Sequence, residues 1–170
     1  RGMAPYVSEI IATYIKDLDK RDVFKVLLNS FEKIEKVANI LGSENISKLT
    51  DGSVHALLVH EKKKNEKVAE IIAKYKKNIT NDDIAILLNS VKEKNKIATI
   101  LGVDNMNKLE GYNVMSLIFN ADKNNEIDSM LEILGSKNIN KLSREQIVKL
   151  VDVSSAPEAL AKKIAQYKDA

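Results

Sequence analysis

The chain contains no cysteine, which removes disulfides, thiolate zinc sites and cysteine nucleophiles together. The compartment stays open, because a reduced cytosol and an exported bacterial chain can both lack cysteine. Histidine is scarce: His55 and His60 are the two present. Their i, i+5 spacing turns them away from a shared metal on a helix. His60-Glu61 is followed by Lys62-Lys63-Lys64, so no H-E-x-x-H zinc motif arises. No apolar run approaches 18 residues, so nothing reads as a membrane-spanning helix. No signal peptide opens the chain, and Arg1-Gly2-Met3 reads as an added leader. Neither a Gly-rich phosphate loop nor a nucleophile elbow occurs. Asp122-Lys123-Asn124-Asn125-Glu126 is spelled like half a calcium loop. It lacks the turn glycine, and Ile133 stands where a calcium loop needs glutamate. The segment reads instead as a three-residue insertion in an inter-helix turn. No catalytic residue, cofactor or metal ligand can be named, and the expectation is a protein that is not an enzyme.

What is present is an ordinary core and an unusual repetition. The chain has 170 residues, 44% apolar and 30% charged, with a net charge of +3. That suffices for one domain or one run of repeats. The charges are mixed along the chain, without the clustered excess of a nucleic-acid binder. Lys outnumbers Arg by 24 to 3, and Lys, Asn and Ile make up about a third of the residues. Their codons are AT-rich, which points to an AT-rich genome, bacterial or parasitic.

Three phrases recur. Leu28-Asn29-Ser30 returns as Leu88-Asn89-Ser90. Ile40-Leu41-Gly42 returns as Ile100-Leu101-Gly102 and Ile133-Leu134-Gly135. Asn45-Ile46-Ser47-Lys48-Leu49 returns as Asn105-Met106-Asn107-Lys108-Leu109 and Asn138-Ile139-Asn140-Lys141-Leu142. The closing apolar residues Leu18, Leu49, Ile79, Leu109 and Leu142 lie 31, 30, 30 and 33 residues apart, so the unit is about thirty residues. Five residues after each closing residue comes an i, i+3, i+4 apolar triplet, for example Val54-Leu57-Leu58 or Val114-Leu117-Ile118. That is a helical stripe. A second stripe follows, as in Ile34-Val37-Ile40-Leu41. Asp19, Thr50, Thr80 and Ser143 stand as N-caps, with Glu110 the departure. Ser143 with Gln146 and Ser155 with Glu158 have capping-box spacing, and Pro157 fits a first turn. Gly42, Gly102 and Gly135 are placed to stop the second helix as left-handed residues. In Ile10-Ile11-Ala12-Thr13-Tyr14 and Ile71-Ile72-Ala73-Lys74-Tyr75 alanine replaces that glycine, so those helices run on by about a turn.

The expected fold is therefore all-α: a solenoid of about five helix-loop-helix repeats of roughly 30 residues, forming a curved rod. The expected division of the single domain 1–170 is a half repeat at 1–18, then 19–49, 50–79, 80–109, 110–142 and 143–170. The half repeat suggests a piece of a longer array. Lys62, Lys63, Lys64, Lys67, Lys74, Lys76 and Lys77 form the densest basic run, read either as a solvated face or as a contact patch for an acidic partner. Without interleaved aromatics it offers no base-stacking platform. Tyr14, Tyr75 and Tyr167 occupy matching places near second-helix ends and read as packing residues between repeats. The sequons Asn45-Ile46-Ser47 and Asn78-Ile79-Thr80 fall in the repeat loop, where their recurrence has a structural reason.

The L-N-S, I-L-G and N-I-x-K-L phrases resemble the helix-loop-helix repeats of the formin-mimicking rickettsial surface autotransporter, across nearly the whole chain. The composition suits such a passenger. The resemblance implies a repeat domain on the bacterial surface, exposed to host cytoplasm. It implies a role in host actin filament assembly, by contact with actin or by docking with a sister repeat domain. It also implies no small-molecule substrate and no membrane insertion. No proline-rich or actin-monomer-binding segment is present. Leu142-Ser143-Arg144-Glu145-Gln146-Ile147-Val148 also resembles the opening of a transcription-activator-like DNA-reading repeat. That family needs two glycines after its base-reading pair. The corresponding stretches here, such as Asn29-Ser30-Phe31-Glu32 and Asp152-Val153-Ser154-Ser155, have none. A protein-binding repeat module of a secreted effector is the plainer alternative.

Overall fold

A computed structural model describes residues 4–60 and 65–168, apart from the side chain of Phe31. Among these residues there are eleven α-helices and no strand: α1 Pro5–Tyr14, α2 Lys20–Leu28, α3 Ile34–Ile46, α4 Asp51–His60, α5 Asn65–Tyr75, α6 Asn81–Ser90, α7 Lys94–Met106, α8 Gly111–Lys123, α9 Ile127–Ile139, α10 Arg144–Val153 and α11 Pro157–Tyr167. A short 3₁₀ turn, Phe31–Lys33, precedes α3. The fold is all-α. No helix among the described residues is long and apolar enough to cross a membrane.

The chain forms two compact units, Arg1–Lys92 and Glu93–Ala170. The division falls inside the 80–109 stretch, between α6 and α7. In the first unit α4 packs on α2 and α6, and α3 packs on α1 and α5. In the second, α8 packs on α10, and α9 packs on α7 and α11. Within each unit, helices two apart in sequence pack on one another, the pattern that stacked hairpins produce.

The apolar triplets drive this. Val23, Val26 and Leu27 are buried, as are Val54, Leu57, Leu58, Ile84, Leu87, Leu88, Val114, Leu117 and Ile118. In the last triplet Leu150 is buried, while Ile147 and Val151 are half-buried. Full burial of one such side chain is worth about 1.5–3 kcal/mol. Asp19, Thr80 and Ser143 cap their helices in reciprocal capping boxes with Asp22, Asp83 and Gln146. Glu110 makes no side-chain cap to α8. The Ser155–Glu158 box does not form: α11 begins at Pro157 after Ala156, which has no side-chain cap. The Asn-Ser pair after the first helices also has a local task. Asn29 Nδ2 donates to the Lys25 carbonyl at 2.8 Å, and Ser90 Oγ to the Ile86 carbonyl at 2.6 Å. Each is a side-chain bond to the carbonyl four residues back, added at the helix end.

The stop glycines behave differently from a left-handed cap. Gly42, Gly102 and Gly135 have φ of 73°, 82° and 70°, but ψ of 173°, 166° and 169°. This is the extended positive-φ region that only glycine occupies readily. The helix breaks there, and a further helical turn follows at once.

One asparagine spans the break. Asn45, Asn105 and Asn138 donate through Nδ2 to the carbonyls of Leu41, Leu101 and Leu134 at 2.8–2.9 Å. Each carbonyl belongs to the residue just before a kink glycine. Asn45 Oδ1 and Asn138 Oδ1 then accept from Lys48 and Lys141, at 3.0 and 2.9 Å. Each of these lysines also reaches back about thirty residues: Lys48 donates to the Leu18 carbonyl, and Lys141 to the Asn107 and Leu109 carbonyls. Lys168 repeats the move on Asn140 and Leu142. Burial pushes the Lys141 ammonium below its ordinary pKa, Lys137 adds to this, and Glu110 acts against it. The recurring N-I-x-K-L phrase is thus a relay that closes the kink and ties one stretch to the one before.

Where alanine replaces glycine, α5 runs straight past Ala73 to Tyr75 and no kinked turn follows. The insertion near Asp122 is absorbed elsewhere than expected. It lengthens α8 to 13 residues, against 10 for α4, α6 and α10, instead of widening the turn. Asn125, at φ 57°, closes that helix.

Candidate functional site

The basic run is placed piece by piece. Lys62, Lys63 and Lys64 lie outside the described residues. Lys67 is exposed, with Nζ 3.6 Å from Glu35 Oε1. Lys74 is exposed and lies 5.3 Å from the centre of the Tyr75 ring. Lys77 is exposed, and its backbone N–H donates to Ser47 Oγ at 2.9 Å. Lys76 does not belong to a surface patch. It is only 4% exposed, and its ammonium sits 2.9 Å from Asp83 Oδ2 and 3.1 Å from the Asn78 carbonyl. Its charge neutralises a buried aspartate, so it is withheld from any partner.

His55 and His60 are exposed on α4. Among the described residues no three acidic or histidine side chains converge as a metal site. The tyrosines divide: Tyr75 and Tyr167 are half-buried, whereas Tyr14 is 74% exposed. Asn45 of the first sequon is engaged in the kink relay, which is the structural reason for its recurrence.

One surface feature was not foreseen from the sequence. In the second unit, Met115, Ser116 and Phe119 of α8 face Lys149, Leu150, Asp152 and Val153 of α10 across a pocket of about 400 Å³. Leu150 is buried, while Phe119 and Val153 are 40% and 62% exposed. Met115 and Phe119 are four residues apart on one helix, so they stand on one face. That face is distinct from the buried stripe of Val114, Leu117 and Ile118. Lys123 lies 5.6 Å from the Phe119 ring centre, and Lys149 and Asp152 put one charge of each sign at the rim. An apolar floor with a polar rim is the anatomy of a small protein-contact site. A signal was available: Phe119 and Val153 fall off the triplet spacing, and large apolar residues off the core stripe are candidates for a surface role.

No protein-family model matches the chain, and neither a curated protein nor a solved structure does.

Proposed function

We propose that the chain is a non-enzymatic protein-binding segment built as a curved solenoid of about five helical repeats, and that the α8–α10 groove takes an apolar side of a partner protein. The carrying observation is the groove itself: Phe119 and Val153 exposed on either side of buried Leu150. The partner is host actin, or a sister repeat domain of an actin-assembling bacterial surface passenger. The support for that choice is the resemblance of the L-N-S, I-L-G and N-I-x-K-L phrases to the rickettsial passenger's repeats. The Lys/Asn/Ile bias and the lack of cysteine add to it. On this reading the protein works at the bacterial surface, exposed to host cytoplasm.

Titration of the labelled chain with monomeric actin under non-polymerising conditions, followed by sedimentation velocity, tests the proposal. A faster, saturable boundary is the expected result. An unchanged boundary well above micromolar actin removes direct monomer contact and leaves docking with a sister domain, which the same experiment reads when that domain replaces actin.

A further inference from the structure

A buried carboxylate at the α4–α6 contact carries an oxygen with no donor. Asp83, the third residue of α6, is fully buried. Its Oδ2 accepts from Lys76 Nζ at 2.9 Å and from the Thr80 backbone N–H at 3.1 Å. Its Oδ1 is buried with no hydrogen-bond partner. A buried acceptor left in this way is destabilising, so a partner is expected. Asp51 opens α4, and its Oδ1 accepts from Thr80 Oγ1 at 3.0 Å. Thr80 Oγ1 also accepts from the Asp83 backbone N–H at 3.0 Å, so one hydroxyl joins the two aspartates across the α4–α6 contact. Two ionised carboxylates have no proton to share between them. A single proton on Asp51 supplies the missing donor.

We propose that Asp51 and Asp83 form an acid–carboxylate pair, with Asp51 donating its proton to Asp83 Oδ1, and that this pair is a pH-sensitive latch between α4 and α6. The proton belongs on Asp51 because Asp83 already accepts two donors that favour its charge. Burial and the adjacent Asp83 both hold the Asp51 carboxyl above its ordinary range, while Thr80 and Lys76 act against them. The latch is therefore closed in acid. It opens as pH rises through the raised Asp51 value, when a second negative charge faces Asp83.

The surrounding charges do not supply an alternative donor. From α6 come Asp83 and Asp82. From the end of α5 come exposed Lys74 and, just beyond, Lys76, already committed to Asp83 Oδ2. From α2, the charged side chains of Lys20, Arg21, Asp22 and Lys25 are exposed, and solvent screens them.

Carboxyl-carbon NMR titration of the intact chain reads the proton directly, and melting of two variants reads its effect. Asp51 is expected to titrate with a midpoint above its reference value of 3.8. Asp51→Asn, whose amide donates permanently, is expected to melt with wild type in acid. It should pull ahead as pH rises, by about 2–4 °C at pH 7. Asp51→Ala, which has no donor, is expected to melt below wild type in acid. A midpoint at or below 3.8, or an Asp51→Asn variant no more stable than wild type at pH 7, overturns the latch. So does identical melting of the Asn and Ala variants in acid.

Discussion

The ammonium of Lys141 lies against the carbonyl of Leu109, thirty-two residues earlier in the chain. It is also held by Asn107 and by Asn138. Three acceptors from two stretches converge on one side chain. Lys48 and Leu18 have the same relationship, and so do Lys168 and Leu142. Replacing Lys141 with Met keeps the aliphatic stem and removes the donors. The expected loss is about 1–3 kcal/mol, read by denaturant unfolding. Exposed Lys137→Met is expected to change stability by less than about 0.5 kcal/mol.

Gly135 tests the kink. A Cβ there meets nothing within 4 Å, yet φ is +70°. The cost of Gly135→Ala is therefore backbone strain alone, about 1–3 kcal/mol. Gly135→Asn is expected to give no rescue, because asparagine tolerates the left-handed helical region and ψ here is 169°. Rescue by Asn in thermal melts would show the residue to be an ordinary left-handed cap. Gly111→Ala is a different case: its Cβ would stand 2.9 Å from the Lys141 carbonyl oxygen, so steric conflict sets the cost.

Lys76 and Lys74 are two residues apart in sequence and opposite in consequence. Lys76→Met strands the Asp83 carboxylate in the interior, and about 3–5 kcal/mol is expected to be lost. Lys74→Glu on the exposed face is expected to leave the melting temperature within about 2 °C. Equal effects of the two would remove the buried pair from the account.

Glu9 gives an acid-side prediction. Hydrogen bonds from Lys36 and then Lys33, at 2.7 and 3.0 Å, hold its carboxyl below the usual value, with burial opposing. A lowered folded value means that its contribution is complete above the unfolded value of 4.5 and fades as pH falls through the folded one. Melting curves of wild type and Glu9→Gln are expected to differ at pH 6 and to converge in strong acid. The gap at pH 6 is expected to shrink in 1 M salt, as screening requires.

Much of the fold was legible because one physical device recurs. The triplet Val114-Leu117-Ile118 could be read as a buried helical stripe from spacing alone, and the Thr80 N-cap and the Ser143–Gln146 capping box follow local rules. Gly42 could be read as a stop, but its ψ could not. The Leu41 carbonyl and the Asn45 amide that donates to it meet across that break, which is visible only once the turn closes. Lys76 was grouped with its basic neighbours because charge density says nothing about which ammonium turns inward toward Asp83. The α8–α10 groove was hidden for a related reason: Phe119 and Val153 belong to different helices, and only the packing of those helices makes them neighbours.

The account's central claim is that the α8–α10 groove binds protein. Sedimentation velocity with monomeric actin, run side by side on wild type and on Phe119→Asp/Val153→Asp, tests it most directly. Both residues are exposed, so the variant is expected to keep its fold and helicity. The account predicts a saturable faster boundary for wild type and its loss, by tenfold or more in affinity, for the variant, about 1.4 kcal/mol or greater. Equal actin binding by the two proteins would contradict the groove as the contact surface, and no boundary shift with either would contradict actin as its partner.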